Sequence, residues 1–267
     1  MKRSLLSFVA LLNNYKVQCL IIILLTTFDT ISCESGNDGD GGDGSGGAGG
    51  GDSDGTTGGG DAGECGVMQN SVKTKFRVVG GGPARIGNYP WQLSLRLNNA
   101  HICGATIISD QWILTAAHCY RAGTLMQQYT VYAGTHIKNN VAGGAKIFRI
   151  TDVQIHPQYN SRLLFADVAL MKVNKKFTFT TSTPNGAIGQ VCLPDEASRS
   201  TVYMNRIAII SGYGWSSRAR SDYYLKAAKV QILDHYYCER VYRRSRAYSR
   251  QSMLCAGSLN GGSDACF

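Results

Sequence analysis

Two motifs are missing from this sequence of 267 residues, and each absence excludes something. No Asn-x-Ser/Thr sequon occurs, so we expect no N-linked glycan. No Cys-x-x-Cys pair occurs either, so the cysteines give no support to a metal site. The segment between Gly134 and Ile150 lacks acidic residues, and calcium needs charged oxygen ligands. We therefore predict no metal and no other cofactor.

Acidic residues are scarce in the C-terminal part of the chain. Residues 78–267 carry 21 Lys and Arg against 9 Asp and Glu, a balance of +12, whereas the net charge of the whole chain is +9. Such an excess attracts acidic proteins, acidic glycans and other anionic surfaces but says nothing about the fold. No nucleic-acid-binding motif accompanies the charge, so we do not expect nucleic acid as a partner.

Residues 33–63 have almost nothing to bury. Between residues 36 and 63 there are 15 glycines, no aromatic residue and six aspartates, namely Asp38, Asp40, Asp43, Asp52, Asp54 and Asp61. A segment of this composition cannot offset the entropy lost on ordering, so we predict a disordered Gly/Asp-rich linker. A calcium-binding repeat is an alternative, although the aspartates have no fixed period.

The amino terminus has the features of an export signal. Lys2 and Arg3 precede an interrupted apolar pattern, and the run from Val17 to Phe28 is too short to cross about 30 Å of hydrocarbon. We predict a signal peptide over residues 1–32 and a secreted, extracellular protein. A signal anchor in a membrane is the alternative. Since the chain is exported, its nine cysteines favour disulfides.

Short β-prone runs dominate the rest of the sequence. The first six lie at Trp91–Leu97, Ile102–Ser109, Trp112–Ala117, Tyr129–Gly134, Ile147–Ile155 and Val168–Val173. Six such strands make one closed barrel. Three further runs, at 206–215, 229–233 and 252–257, predict an incomplete second barrel. Asp234 can cap a helix from about His235 to Ala247.

That predicted helix is rich in arginine. Its members and the residue just beyond it are Arg240, Arg243, Arg244, Arg246 and Arg250. A solvated basic face is the plain interpretation of such a helix. The alternative is a docking surface for an anionic glycan, whose binding would weaken with salt.

The stretch Leu114–Cys119 places His118 beside a cysteine at the end of a β-prone run. A general base must be held rigidly relative to its nucleophile, and this position favours such a role. By itself, a histidine after a strand is more often structural. We treat His101, His136, His156 and His235 as structural or exposed, since none has a motif behind it.

Three further segments accompany His118. They are Arg77–Gly81, Tyr89–Leu95 and Asp167–Val173. With them, residues 78–267 resemble the secreted trypsin-like serine proteases of the chymotrypsin-fold family. The resemblance implies an all-β domain of two antiparallel six-stranded β-barrels, the second incomplete in this chain.

The resemblance also implies roles for particular residues. His118 is then the general base and Asp167 the buried carboxylate that accepts a hydrogen bond from its Nδ1–H. Asp264 lies where trypsin-like members place the acid that selects Arg or Lys in the substrate. The implied disulfides are Cys65–Cys192, Cys103–Cys119 and Cys238–Cys255.

In such a protease, residues 64–77 would be a propeptide cut after Arg77. The new amino group of Val78 would fold inward to a buried aspartate, and Cys65–Cys192 would keep the propeptide attached. The resemblance further implies protein substrates, an activating trypsin-like protease and serine protease inhibitors as partners, with an anionic glycan as another candidate. We expect a monomer.

The family continues after the position of Cys266 with Gly-Asp-Ser-Gly-Gly-Pro, which contains the nucleophilic serine, and this sequence has no such motif. We therefore expect a truncated form of an endopeptidase, inactive as given. The alternative is a secreted non-catalytic homologue that binds a partner through its basic surface.

Overall fold

The computed structural model describes eight segments of the chain. These are residues 65–68, 82–84, 87–138, 145–180, 187–195, 203–213, 224–244 and 248–257. The predicted signal peptide and linker, the predicted cleavage site at Arg77 and Val78, and Asp264 lie outside the described residues.

Ten strands and one α-helix make up the described elements. The strands are β1 (Gly82–Pro83), β2 (Gln92–Leu97), β3 (Ala100–Ile107), β4 (Trp112–Thr115), β5 (Tyr129–Ala133), β6 (Lys146–Ile155), β7 (Ala169–Val173), β8 (Ile207–Gly212), β9 (Lys226–Leu233) and β10 (Cys255–Gly257), and the helix is α1 (His235–Tyr242). Single 3₁₀ turns occur at Ala117–Cys119 and Met126–Gln128. The mostly-β prediction is confirmed.

The first six predicted strands form one closed antiparallel barrel in the order β2-β3-β4-β7-β6-β5. Alternate residues of each strand face its interior, where Leu93, Leu95, Ile113 and Met171 are fully buried. A two-residue loop joins β2 to β3 through Asn98 and Asn99, both at positive φ. Asparagine tolerates this conformation, which matches the twist of a tight hairpin.

The second sheet is smaller. Strand β9 is its centre: β8 pairs along one edge, while β1 and β10 pair with opposite ends of the other edge. Helix α1 follows β9 and begins where the Asp234 side chain accepts a hydrogen bond from the Tyr236 backbone N–H. This is the predicted cap, but the helix ends at Tyr242, earlier than expected.

Polar contacts join the barrel to the second sheet. Strand β2 is buried on both faces, and its outward-facing Gln92 accepts a 2.8 Å hydrogen bond from the Ser211 hydroxyl of β8. The Tyr213 hydroxyl donates to the Thr135 carbonyl at 2.7 Å. These hydrogen bonds join the two units across an interface that also buries apolar residues of the second unit, such as Ile209 and Leu225.

Three disulfides connect the described cysteines, and they are the pairs that the resemblance implied: Cys65–Cys192, Cys103–Cys119 and Cys238–Cys255. Next to the first of them, Gly66 adopts a φ of +75°. A Cβ atom there would lie 3.0 Å from the Cys192 sulfur, so both backbone and space require glycine.

Candidate active site

The pairing of β4 with β7 explains how two residues far apart in sequence meet. These strands are antiparallel, with Thr115 opposite Ala169. The end of β4 and the start of β7 therefore lie at the same rim of the barrel. His118 follows β4 in the 3₁₀ turn Ala117–Cys119, and Asp167 comes just before β7. Both residues are thus placed at this rim.

Two hydrogen bonds connect His118 to Asp167. The backbone N–H of His118 donates to Oδ1 of the carboxylate at 2.8 Å, and Nδ1 of the ring lies 2.7 Å from Oδ2. The ring donates through Nδ1 because the carboxylate can only accept. The neutral tautomer therefore carries its proton on Nδ1, and Nε2 has the basic lone pair.

Burial differs sharply between the two side chains. The Asp167 side chain is 1% exposed, whereas that of His118 is 42% exposed. The hydrogen bond to Asp167 raises the pKa of His118 above its ordinary value of 6.5, against the opposing effect of partial burial. The arrangement holds a solvent-accessible base against a buried anion, which stabilises the imidazolium once the ring takes a proton.

The chain around Asp167 is held in an uncommon conformation. Ala166 has a φ of 52°, and the Val168 N–H donates to the Ala166 carbonyl at 2.8 Å, closing a tight turn around Asp167. Ala166 and Val168, the residues on either side of Asp167, are buried together with Leu114 in a separate apolar cluster that supports this turn. Strain at a non-glycine residue is retained where packing determines the backbone. Nothing in the sequence signals this feature.

The disulfide Cys103–Cys119 fixes the other side of the site. It joins the residue after His118 to β3, and the Cys119 sulfur lies 3.6 Å from Nε2 of His118. Cys103, His118 and Cys119 place their potential ligand atoms within 4.8 Å of one another, the spacing of a metal cluster. Both sulfurs are bonded to each other, however, and a metal needs thiolates. The cluster therefore anchors the histidine and offers no thiolate ligand.

A second histidine, which sequence reasoning treated as structural, also has a defined environment. Nδ1 of His101 lies 2.8 Å from the hydroxyl of buried Ser94, and the His101 ring packs edge-on against Tyr213. Burial, together with Lys138 and Arg96, lowers the pKa of His101 to about 3. This histidine is therefore neutral at physiological pH and cannot replace His118 as an exposed base.

A family model described as Trypsin matches residues 78–267, which is most of the chain. The chain belongs to the trypsin family. The first barrel of this trypsin-family chain contains His118, Asp167 and the disulfide Cys103–Cys119, which is the part of the site that the structure describes. Asp264, Arg77 and Val78 lie outside the described residues.

Curated relatives agree with this assignment. The chain is 32% identical to coagulation factor XI of Bos taurus over 73% of its length, 34% identical to ovochymase-2 of Mus musculus over 74%, and 35% identical to transmembrane protease serine 9 of Rattus norvegicus over 76%. The matches cover 31%, 32% and 18% of those proteins, so the chain spans about a third of them or less.

These findings place the chain among the trypsin-like serine proteases at the level of the family. Within the described segments of this trypsin-family chain, no helix is both long and apolar enough to cross a bilayer.

Proposed function

We propose that this chain belongs to the zymogen of a secreted serine endopeptidase that cleaves after Arg or Lys. In this proposal His118 is the general base and Asp167 orients it. Asp264 selects the substrate, and activation occurs by cleavage between Arg77 and Val78. Membership of the trypsin family supports the reaction class, while the residue roles and the specificity are our inference.

The observation that carries the proposal is the pair of hydrogen bonds from His118 to one buried carboxylate. The contact from the backbone N–H fixes the position of Asp167 relative to the main chain, and the contact from Nδ1 fixes the tautomer. Nε2 is then the atom that takes the proton of an attacking serine hydroxyl and returns it to the leaving amine. A surface histidine with a solvated carboxylate would lack this rigidity.

The reaction needs two further groups. One is a serine nucleophile, which the family carries in Gly-Asp-Ser-Gly-Gly-Pro after the position of Cys266 and which we propose is encoded beyond Phe267. The other is a set of backbone N–H groups that stabilises the developing oxyanion, each donor contributing about 10²- to 10³-fold in rate. Without them, His118 has nothing to activate, so we expect no turnover from the 267 residues alone.

Specificity would come from Asp264. A carboxylate at the base of a closed pocket binds a cationic side chain and is left buried and unpaired by an apolar one. Replacement by serine should therefore reduce cleavage after Arg and Lys much more than cleavage elsewhere. Equal cleavage after Phe and Arg by the unaltered enzyme would contradict this role.

Activation would leave the propeptide attached. Amino-terminal sequencing after treatment with a trypsin-like protease should give a new chain beginning at Val78. The disulfide Cys65–Cys192 supports retention of residues 64–77, because it joins them to a cysteine on the other side of the cleavage site. Release of the propeptide without a reductant would rule this out.

The central experiment compares two lengths of the protein after the same activating cut. Sequencing of the transcript past Phe267 defines the longer form. We expect that form to hydrolyse an Arg amide and to react with a serine-directed phosphonate, whereas the 267-residue form does neither. The His118→Ala variant of the longer form is the control and should lose both.

A stop codon directly after Phe267, or an intact longer form that binds a partner but never turns over substrate, would favour the non-catalytic homologue instead. Labelling of the 267-residue form that depends on His118 would show that the nucleophile has been assigned wrongly.

A further inference from the structure

Four exposed arginines lie in α1 and in the residues that follow it, next to the second sheet. We define this arginine surface as Arg240, Arg243, Arg244 and Arg250, all of which are exposed. Exposed Tyr236 and Val241 lie beside them on α1. Within the described part of the chain, none of the four arginines forms an ion pair with a carboxylate. The surface therefore has unsatisfied capacity for an anionic partner.

The same chain contains a segment of the opposite charge. Residues 34–64 include eight acidic residues and no lysine or arginine. The acidic residues are Glu34, Asp38, Asp40, Asp43, Asp52, Asp54, Asp61 and Glu64. Their glycine-rich spacing leaves the carboxylates without bulky neighbours, so several can approach a row of arginines at once. Charge complementarity between these two regions is the first support for an interaction.

The attachment of the acidic segment at Cys65 places it within reach of the arginine surface. The acidic segment ends at Glu64, directly before Cys65, which is bonded to Cys192. A flexible glycine-rich chain of about 30 residues has an end-to-end distance of roughly 30 Å. A domain of about 190 residues has a radius of gyration of about 16 Å. The segment can therefore reach most of the domain surface from its attachment point.

We propose that residues 34–64 bind the arginine surface of α1 within the same molecule and thereby compete with external polyanions. Each exposed ion pair is weak, but the association is intramolecular, through the continuous chain before cleavage after Arg77 and through the disulfide Cys65–Cys192 after it. A tether of this length, with the flexibility that its glycine content predicts, gives an effective concentration in the millimolar range. Because the tether is joined at Cys65, cleavage after Arg77 does not release it. The interaction does not require catalysis.

The direct test maps zero-length cross-links in the full-length protein. The variant Arg243→Lys/Arg244→Lys keeps the charge and introduces amines that a carbodiimide can couple to carboxylates. We expect cross-links from residues 34–64 to positions 243 and 244 in the monomeric species, and we expect 0.5 M salt to suppress them. The exposed native lysines Lys146, Lys175 and Lys176 are the internal control.

Cross-links distributed evenly over those lysines and positions 243 and 244 would show a non-specific tether and overturn the proposal. Their absence from positions 243 and 244 would overturn it as well. A matched variant with all six aspartates of residues 36–63 changed to serine keeps the length and glycine content and creates no Asn-x-Ser/Thr sequon, and it should lose the cross-links to positions 243 and 244.

An affinity measurement tests the competition. A short heparin oligosaccharide is the probe polyanion, and we expect the Asp→Ser variant to bind it about three- to tenfold more tightly than the unaltered protein. The gain should vanish when Arg240, Arg243 and Arg244 are changed to glutamine, which removes the charge and creates no sequon. It should persist when Lys146, Arg149 and Arg162, which are equally exposed, are changed instead. Equal affinity with and without the aspartates would assign the surface to an external glycan and refute the tether.

Discussion

The closed barrel and the second sheet bury their strands to different extents. In the barrel, all six residues of β2 are buried, and the inward positions of β3, β4, β5 and β7 are buried as well. In the second sheet, β8 begins with Ile207 at 61% exposure, and α1 leaves Tyr236 at 68% exposure. His118 and Asp167 lie on the more deeply buried unit. Positional precision is therefore concentrated in the barrel, and the exposed groups of the second unit are available for binding.

The largest expected effect separates catalysis from stability. Asp167→Asn in the longer, activated form should lower kcat by about 10⁴-fold, because an amide can donate to Nδ1 and stabilise the wrong tautomer. Steady-state kinetics on an Arg amide measures this. Asp110→Asn is the matched control, since it removes only the surface pair with Lys176. A comparable loss in the control would argue against a special role for Asp167.

Core truncation should distinguish the two units next. Ile113 in the barrel is 0% exposed and Ile232 in β9 is 6% exposed. Replacing either with alanine removes the same atoms, but we expect Ile113→Ala to cost about 4 kcal/mol of unfolding free energy and Ile232→Ala about 2 to 3. Urea unfolding gives both values. If the order is reversed, the barrel is not the better-packed unit.

Two disulfides provide a comparison at constant loop length. Cys103–Cys119 and Cys238–Cys255 close loops with sequence separations of 16 and 17. Loop entropy therefore predicts nearly equal losses of about 3 kcal/mol when each pair is changed to serine. Activity should differ, because only the first bridge anchors the turn of His118. Equal effects on kcat would mean that the bridge does not position the base.

A smaller effect is expected at Gly66. Gly66→Ala introduces both backbone strain and a contact with the Cys192 sulfur, which together should cost about 1 to 3 kcal/mol. Gly123 also has a positive φ, of +83°, but an added Cβ there would meet nothing within 4 Å. Gly123→Ala therefore carries the strain alone. The difference between the losses of unfolding free energy in the two variants therefore measures the cost of the contact between the new Cβ at position 66 and the Cys192 sulfur.

The smallest effect is the pH dependence of stability. Since Asp167 raises the pKa of His118 in the folded state, the contribution to stability is complete below pH 6.5 and is lost as the pH rises through the raised value. Urea midpoints at pH 5.5 and 8.5 should show a smaller fall for Asp167→Asn than for the unaltered protein. By the same shift, kcat/KM should increase with pH as His118 loses its proton. An identical pH dependence in both proteins would show that Asp167 does not couple the protonation of His118 to folding.

The barrel was readable from the sequence because its strands are short β-prone runs separated by turn residues. All six appear close to their predicted bounds, and Asp234 caps α1 as expected. Strand β1 was missed, since Gly82–Pro83 is too short to have a period and pairs only because β9 lies beside it. The early end of α1 was not predictable either, because the capping residue Asp234 marks only where the helix begins.

The site was accessible only through family motifs. A separation of 49 residues between His118 and Asp167 does not predict contact, and their meeting depends on the register of β4 against β7. Residues such as Ala166 and Ser94 gave no signal, because a left-handed backbone and a buried hydroxyl–histidine contact arise from tertiary packing. Local propensity carries no information about either.

The hydrogen bonds of Gln92 with Ser211 and of Tyr213 with Thr135 also bear on how the molecule comes apart. Opening the interface alone would expose apolar surface and uncover the outer face of β2. If one half unfolded, the other half would lose this burial and become less stable. We therefore expect the halves to melt as one cooperative unit. The slowest-exchanging amides of β2 and β8 should then share one opening free energy, and drugs or antibodies that bind either half should protect both.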